Sequence, residues 1–260
     1  MLDFEKDVVQ LFDAHQIDFE FESKEHLLIS ETLTIIFIPI CSIRDYIVPD
    51  NLPESTIKTI RIWQDEYMQH KEIIDSRILS LIGISQRVHA RQTRVKAIDK
   101  LALKHFLIRN HLNVPTSARH RYGLFRQQEL VAVAAFGRHC PVQDQGITYR
   151  SHELIRYCSL LNTTVVGGLS KLIHHFEKEK SPEHLMTYVD REWSDGRSYQ
   201  NLGFKKVAIT PPQRYWLAKD ANERLLEKNL SKSQRQEKEE SEGWRLMTNL
   251  GNLKLVKYLK

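Results

Sequence analysis

Between Val165 and Lys171 the chain reads Val-Val-Gly-Gly-Leu-Ser-Lys, a twin-glycine bend that runs into an amphipathic helix. These residue types at this spacing suit a phosphate. Glycine lets the main chain come close to a ligand, and a helix start offers unpaired N–H groups and the positive end of the peptide dipole. Ser170 and Lys171 add a hydroxyl and a cation, so Val165, Val166, Gly167, Gly168, Leu169, Ser170 and Lys171 are the candidate anion-holding residues. Downstream, Asp190 ends a short apolar run, Ser194-Asp195-Gly196 enters a helical stretch, and Tyr199 lies within it. A carboxylate, a hydroxyl and a phenol are groups that take and give protons.

The surrounding elements can be read from periodicity. Leu154, Ile155 and Tyr157, interleaved with Arg156 and Cys158, spell a strand that breaks at Asn162 to Thr164 before the bend. After the helix, residues 184–189 read as a buried strand, Arg197 to Phe204 as a helix closing at Gly203, and residues 205–209 as another strand. Upstream, Val88 to Ile98 alternates like an edge strand, and residues 97–111 form a helix with Leu101, Leu103, Phe106 and Leu107 on its core side. Tyr122–Phe125 and Leu130–Phe136 make a hairpin.

The first 83 residues read as a separate small α/β domain. Leu2, Phe4, Val8, Val9, Leu11 and Phe12 have helical spacing, strands follow at 17–21, 27–29, 33–38 and 57–63, Pro49 and Pro53 mark a loop, and a helix through Ile73, Ile74, Ile78 and Leu79 stops at Gly83. Residues 84–260 form the second domain, which contains a highly charged segment at 220–242 and ends in an alternating stretch expected to add a strand pair to its sheet.

Four linked motifs give the second domain a family likeness: Glu153-Leu154-x-Arg156-x-Cys158, the run from Asn162 to Leu172, Tyr188-x-Asp190-Arg191-x-Trp193-Ser194-x-Gly196, and Tyr199-x-x-Leu202-Gly203-Phe204. Together they resemble the GNAT-like domain found behind phage homing-endonuclease domains, itself similar to the phage Mom DNA-modification acyltransferase. The resemblance implies a mixed-sheet acyltransferase fold in which the loop from Val165 to Lys171 carries the phosphates of acetyl-CoA or a related acyl-CoA. It also implies a DNA-directed transfer to a nucleobase amine. In that chemistry Asp190 would be base or orienter, Ser194 would assist, and Tyr199 would protonate the leaving thiolate; otherwise Asp190 is a helix cap or ion-pair partner and Tyr199 a core-edge residue. Trp193 reads as core.

The first domain resembles a Vsr-like nuclease domain, with its chemistry lost. Where that family carries an aspartate in an L-D-I-Y-I-P type run, the chain has Leu33-Thr34-Ile35-Ile36-Phe37-Ile38-Pro39, and the E-x-N-G run is missing. Asp45, Asp50 and Glu54 remain nearby, but none is spaced to pair on one strand face. Without paired carboxylates there is nothing to hold Mg²⁺ and position a water. The fold class is therefore α/β (α+β): a degenerate nuclease-like domain followed by a GNAT-like domain.

Composition bounds the rest. A net charge of +5 favours an anionic partner, and the cations cluster. Arg87, Arg91, Arg94 and Lys96 lie in a stretch whose one acid is Asp99, and Arg119 and Arg121 follow, which points to DNA. Three cysteines without C-x-x-C spacing argue against a disulfide framework and a structural zinc site, and no metal ligand set is expected. The longest apolar run, Leu33 to Ile43, is too short and broken to span a bilayer, and the acidic N-terminus is unlike a signal peptide, so a cytoplasmic protein without membrane partner is expected. Two alternatives stay open: a homing-type endonuclease or inactive relative whose GNAT-like domain only binds DNA, and a small-molecule acetyltransferase.

Overall fold

The computed structural model describes residues 1–40, 57–113, 117–144, 146–218, 224–241 and 243–259. The loop expected around Pro49 and Pro53, with Cys41, Asp45, Asp50 and Glu54, lies outside these residues, as does part of the charged segment. In chain order the elements are α1 (Asp3–Ala14), β1 (Glu20–Glu22), β2 (Leu27–Ile29), β3 (Leu33–Ile38), β4 (Lys58–Trp63) and α2 (Gln64–Leu81). Next come β5 (Gln86–His89), β6 (Arg94–Ala97), α3 (Lys100–Asn110), β7 (His120–Arg126), β8 (Glu129–Phe136), β9 (Cys140–Asp144), β10 (Ile147–Ser159) and β11 (Thr163–Val166). Then follow α4 (Gly168–Lys180), β12 (His184–Asp190), α5 (Arg197–Gln200), β13 (Lys205–Ile209), β14 (Arg214–Ala218), β15 (Arg224–Leu226), α6 (Lys232–Glu240), β16 (Trp244–Thr248) and β17 (Asn252–Tyr258).

The chain divides into two compact units, and neither is a continuous segment. Unit 1 takes Met1–Lys71, Val189–Asp195 and Ile209–Leu253; unit 2 takes Glu72–Tyr188, Gly196–Ala208 and Lys254–Lys260. The first division between the units falls at 71/72, inside α2 and next to His70, whose φ of −133° departs from helical geometry, where the sequence reading places it after residue 83. Later strands return to unit 1 because a sheet edge or an uncovered core recruits whichever apolar strand reaches it, whatever the sequence distance.

In unit 1 a four-stranded sheet runs β1-β2-β3-β4, with β3 and β4 parallel from Leu33↔Lys58 to Ile38↔Trp63. Side chains alternate across a strand, so Leu33, Ile35 and Phe37 share one buried face and Thr34 takes the other. Phe4 and Phe12 of α1 are buried, with Phe4 edge-on to Phe37 at 5.5 Å between ring centroids. A second sheet, β15-β14-β16, supplies Leu217 and Met247 to a cluster with Ile38 and Trp63.

Unit 2 is built on a mixed sheet ordered β13-β17-β12-β10-β8-β7-β6, with β9 paired to β10. β8 is apolar on both faces because both are covered. Val133 and Ala135 pack against Leu103, Phe106 and Leu107 of α3, while Phe136 stacks on Phe176 of α4 at 4.0 Å. Leu101, expected on the core side of α3, is 60% exposed, since the buried stripe runs through 103, 106, 107 and 110.

The central strands then part. β10 and β12 pair in parallel over Ser151–Glu153 and His184–Met186. Beyond this, Thr187 Oγ1 donates to Leu154 O at 2.9 Å and the register of β10 against β8 shifts between Leu154 and Arg156, a bulge. Past it β10 is laddered to β8 alone among the described pairings, and the chain turns into β11, which leaves the sheet to pair in parallel with β5, Thr163↔Gln86 to Val166↔His89. The single edge strand expected from Val88 to Ile98 is therefore two strands in two sheets, separated by a tight turn in which Thr93 N–H and Oγ1 both donate to Ala90 O. The terminal strand pair is likewise divided: β16 joins β14, and β17 joins the large sheet.

Candidate active site

β11 ends at Val166 and α4 begins at Gly168, which leaves Gly167 alone in the bend with φ 77°, in the left-handed region. A Cβ at Gly167 meets only Ala90 Cβ, at 3.6 Å, so the need for glycine there is conformational. At Gly168 it is steric. A Cβ would lie 2.7 Å from Tyr157 Oη and 2.9 Å from Val165 Cγ1. No side chain caps α4, and its first backward bond runs from Lys171 N–H to Gly167 O at 3.0 Å. Among the described residues the amides of Gly167, Gly168 and Ser170 donate to no protein acceptor.

These amides open onto a cleft of about 440 Å³ formed within unit 2. Its walls are Ile73, Ser76, Arg77 and Ser80 of α2, Asn110 and His111 at the end of α3, Tyr157 to Leu161 of β10 and the following turn, β11 with the start of α4, and Ser198, Tyr199 and Leu202. Of the candidate anion-holding residues, Val165, Gly167, Gly168, Leu169 and Ser170 line it; Val166 and Lys171 do not. Lys171 is turned to the β5–β6 turn, where its Nζ donates to Ala90 O at 2.8 Å, to Thr93 O, and to Thr93 Oγ1 at 3.4 Å. Its ammonium is thereby engaged by the protein and turned away from the cleft.

Tyr199 lines the cleft as well, while Asp190 and Ser194 do not and belong to unit 1. Asp190 closes a turn there: Oδ1 accepts Glu192 N–H at 2.9 Å, and its carbonyl accepts Trp193 and Ser194 N–H at 3.3 and 3.0 Å. The contact is local to the turn: among the described residues Asp190 caps no helix. Trp193 is core, at 4% exposure.

Burial sets the protonation states in the cleft. It pushes the Tyr199 phenol up to about 12, with Tyr157 adding to the rise and the Arg77 charge opposing it, and no acceptor among the described residues holds the hydroxyl. Burial also pushes the Cys158 thiol up to about 12, and Sγ donates to Asn110 O at 3.0 Å, so it is no thiolate nucleophile. His111 is lowered to about 3 by burial and then by Arg77 and Arg156. Its Nδ1 accepts Asn113 N–H at 3.0 Å, which puts the ring proton on Nε2 and leaves a neutral donor.

Among the described residues no Asp or Glu lines the cleft. It therefore offers amides, hydroxyls, a guanidinium and groups that hold their protons at neutral pH, a set that receives negative charge and has no carboxylate to act as base. Arg77 and His111 carry no signal in the sequence, and Tyr157 is readable there only as a strand residue. Positions 73, 76, 77 and 80 do share one helix face, a signal that marks a buried stripe without saying what it borders.

The basic residues divide. Arg87, Arg91, Arg94, Lys96 and Arg119 are exposed, and among the described residues none pairs with a carboxylate. Arg121 is a correction: its guanidinium braces the chain, with Nε to Ile98 O at 3.3 Å and Nη1 to Ala118 O at 2.5 Å.

No family model and no curated protein matches the chain. Among solved structures it is similar to a Bacillus subtilis acetyltransferase in complex with CoA, at 14% identity over 65% of this chain and 99% of that one, TM-score 0.40. It is similar also to a GNAT family acetyltransferase from Elizabethkingia anophelis with acetyl-CoA bound, at 12% identity over 65% and 99%, TM-score 0.36. A third, a probable N-acyltransferase from Enterococcus faecalis, is 13% identical over 48% of this chain, with TM-score 0.37; the chain spans 35% of that protein's length. Among the described residues no helix is long and apolar enough to cross a membrane.

Proposed function

We propose that unit 2 is a DNA-directed acyltransferase that moves an acyl group from a CoA-type donor to a nucleobase amine. The observation that carries this is the pairing of unengaged amides at Gly167, Gly168 and Ser170 with the Tyr199 phenol in one cleft. The donor supplies an activated thioester. The cleft fits it, because among the described residues three N–H groups at the start of α4 have no protein acceptor and no carboxylate lines the space. Those amides would hold the phosphates, and Tyr199 keeps a proton at Oη across the physiological range, ready for a departing sulfur.

The acceptor follows from what the cleft lacks. An alkyl ammonium must lose a proton before it attacks, and no carboxylate lines the cleft to take it. An exocyclic amine on a heteroaromatic ring is already neutral at pH 7; as its C–N bond forms and the C–S bond breaks, Tyr199 Oη gives its proton to the sulfur and takes the one the nitrogen sheds. The exposed cations Arg87, Arg91, Arg94, Lys96 and Arg119 support a polyanionic partner.

Mass spectrometry of nucleosides from duplex DNA incubated with the protein and acetyl-CoA tests the proposal. A new acylated nucleoside is expected, its yield falling roughly 100-fold in Tyr199→Phe, the size of a lost proton donor. Acylation of a polyamine with untouched DNA would sink it in favour of a small-molecule transferase. Mg²⁺-dependent cleavage of plasmid without an adduct would favour a nuclease.

A further inference from the structure

The cleft has a charged wall that the glycine bend does not explain. α2 supplies Ile73, Ser76, Arg77 and Ser80, and two of these are pinned to the segment leading into α4. Ser76 Oγ accepts Asn162 N–H at 2.7 Å, and Ser80 Oγ lies 2.7 Å from Thr164 Oγ1, which also meets Ser85 Oγ at 2.5 Å. Arg77 sits between these anchors on the same helix face, so its backbone is fixed relative to the bend. The reach of its charge is seen from three sides: Tyr199 on α5, Cys158 on β10 and His111 beyond α3 all feel it. The half-buried Tyr199 faces the same space.

We infer that Arg77 is a ligand-binding residue: it holds a phosphate-bearing ligand from the α2 side while the amides of Gly167, Gly168 and Ser170 hold it from the other. A guanidinium has five N–H donors in a planar fork that matches phosphate oxygens. With no Asp or Glu among the described lining residues, an anion entering the cleft meets no like charge. The inference deepens the acyl-CoA reading and rests on it for the identity of the ligand, though not for the anion.

Titration calorimetry of the full chain with CoA, pantetheine and inorganic pyrophosphate separates the two, using Arg77→Gln and Arg77→Lys, with melting curves to confirm folding. Arg77→Gln is expected to weaken CoA and pyrophosphate roughly 10- to 100-fold, the size of one lost charge-assisted contact, with Arg77→Lys recovering part and pantetheine unaffected. Equal CoA and pyrophosphate affinity in folded Arg77→Gln and wild type overturns the inference and leaves the acyltransferase reading standing. Parallel losses for CoA and pantetheine overturn it too, making Arg77 a packing residue. Pyrophosphate binding that depends on Arg77, with no binding of CoA, upholds the anion site and overturns the acyl-CoA reading. A wild type that binds neither overturns both.

Discussion

The indole N–H of Trp63 donates to Glu192 Oε2 at 2.9 Å across 129 positions of sequence, and the pair is buried in unit 1. Burial first, and the neighbouring Asp190 charge second, push the Glu192 carboxyl up to about 8, while its Oε1 has no partner among the described residues. The folded pKa is raised, so folded unit 1 retains a proton that the unfolded chain gives up near 4.5. The resulting stability is complete below about pH 4.5 and is lost as pH rises through about 8. Glu192→Gln keeps an acceptor for Trp63 and cannot ionise. Melting curves from pH 5 to 9 should show the wild type losing stability towards pH 8 and the variant losing less, so that the variant is the more stable at pH 9. Parallel curves for the two would refute the assignment.

Asp65, at 1% exposure, is gripped by Arg224 through Nε and Nη2 at 2.5 and 2.7 Å, with the guanidinium 5.2 Å from the Trp63 ring. Removing one partner of such a buried pair strands the other charge. Arg224→Ala should cost about 3–5 kcal/mol in urea denaturation, whereas Arg224→Met combined with Asp65→Asn should recover most of it. A single variant as stable as wild type would show that water screens the pair.

The two glycines of the bend should fail differently. Gly167→Ala must hold φ 77° with a side chain and should lose about 1–2 kcal/mol of stability. Gly168→Ala brings a methyl to 2.7 Å from Tyr157 Oη; calorimetry should show loss of CoA binding in a protein that still melts cooperatively. Unchanged affinity in Gly168→Ala would remove the cradle from the argument.

The arginines can be sorted by salt. Arg91→Ala and Arg94→Ala should each weaken binding to mixed-sequence duplex DNA and reduce the slope of log K against log salt by about 1. Arg121→Ala should leave that slope alone and lower the melting temperature, because its guanidinium serves Ile98 O and Ala118 O. The reverse pattern would place the DNA on the other side of β7.

Local order was legible where it is locally caused. β2 and β3 fall at 27–29 and 33–38, as their apolar runs require, and the hairpin of β7 and β8 follows from two alternating runs about a short turn. Gly167 and Gly168 were readable as a bend into a helix, since φ above zero and close approach are properties of glycine itself. Tyr199, which lines the cleft, was reachable only through the family resemblance that its motif with Leu202-Gly203-Phe204 carries.

Partnership was not legible, because alternation marks a strand without naming its neighbour. Val88 and Val95 lie in one alternating stretch, yet β5 pairs with β11 and β6 with β7. Lys171 looked like a phosphate ligand until Ala90 O and Thr93 O, about 80 residues away, claimed its ammonium. Arg77 looked like any residue of an amphipathic helix. By itself the sequence determined where the main chain can bend and expose its amides, for that depends on side chains absent at two adjacent positions. Only the tertiary structure decided which cations face the cleft, because a long side chain follows whichever carbonyls and charges folding brings within its reach.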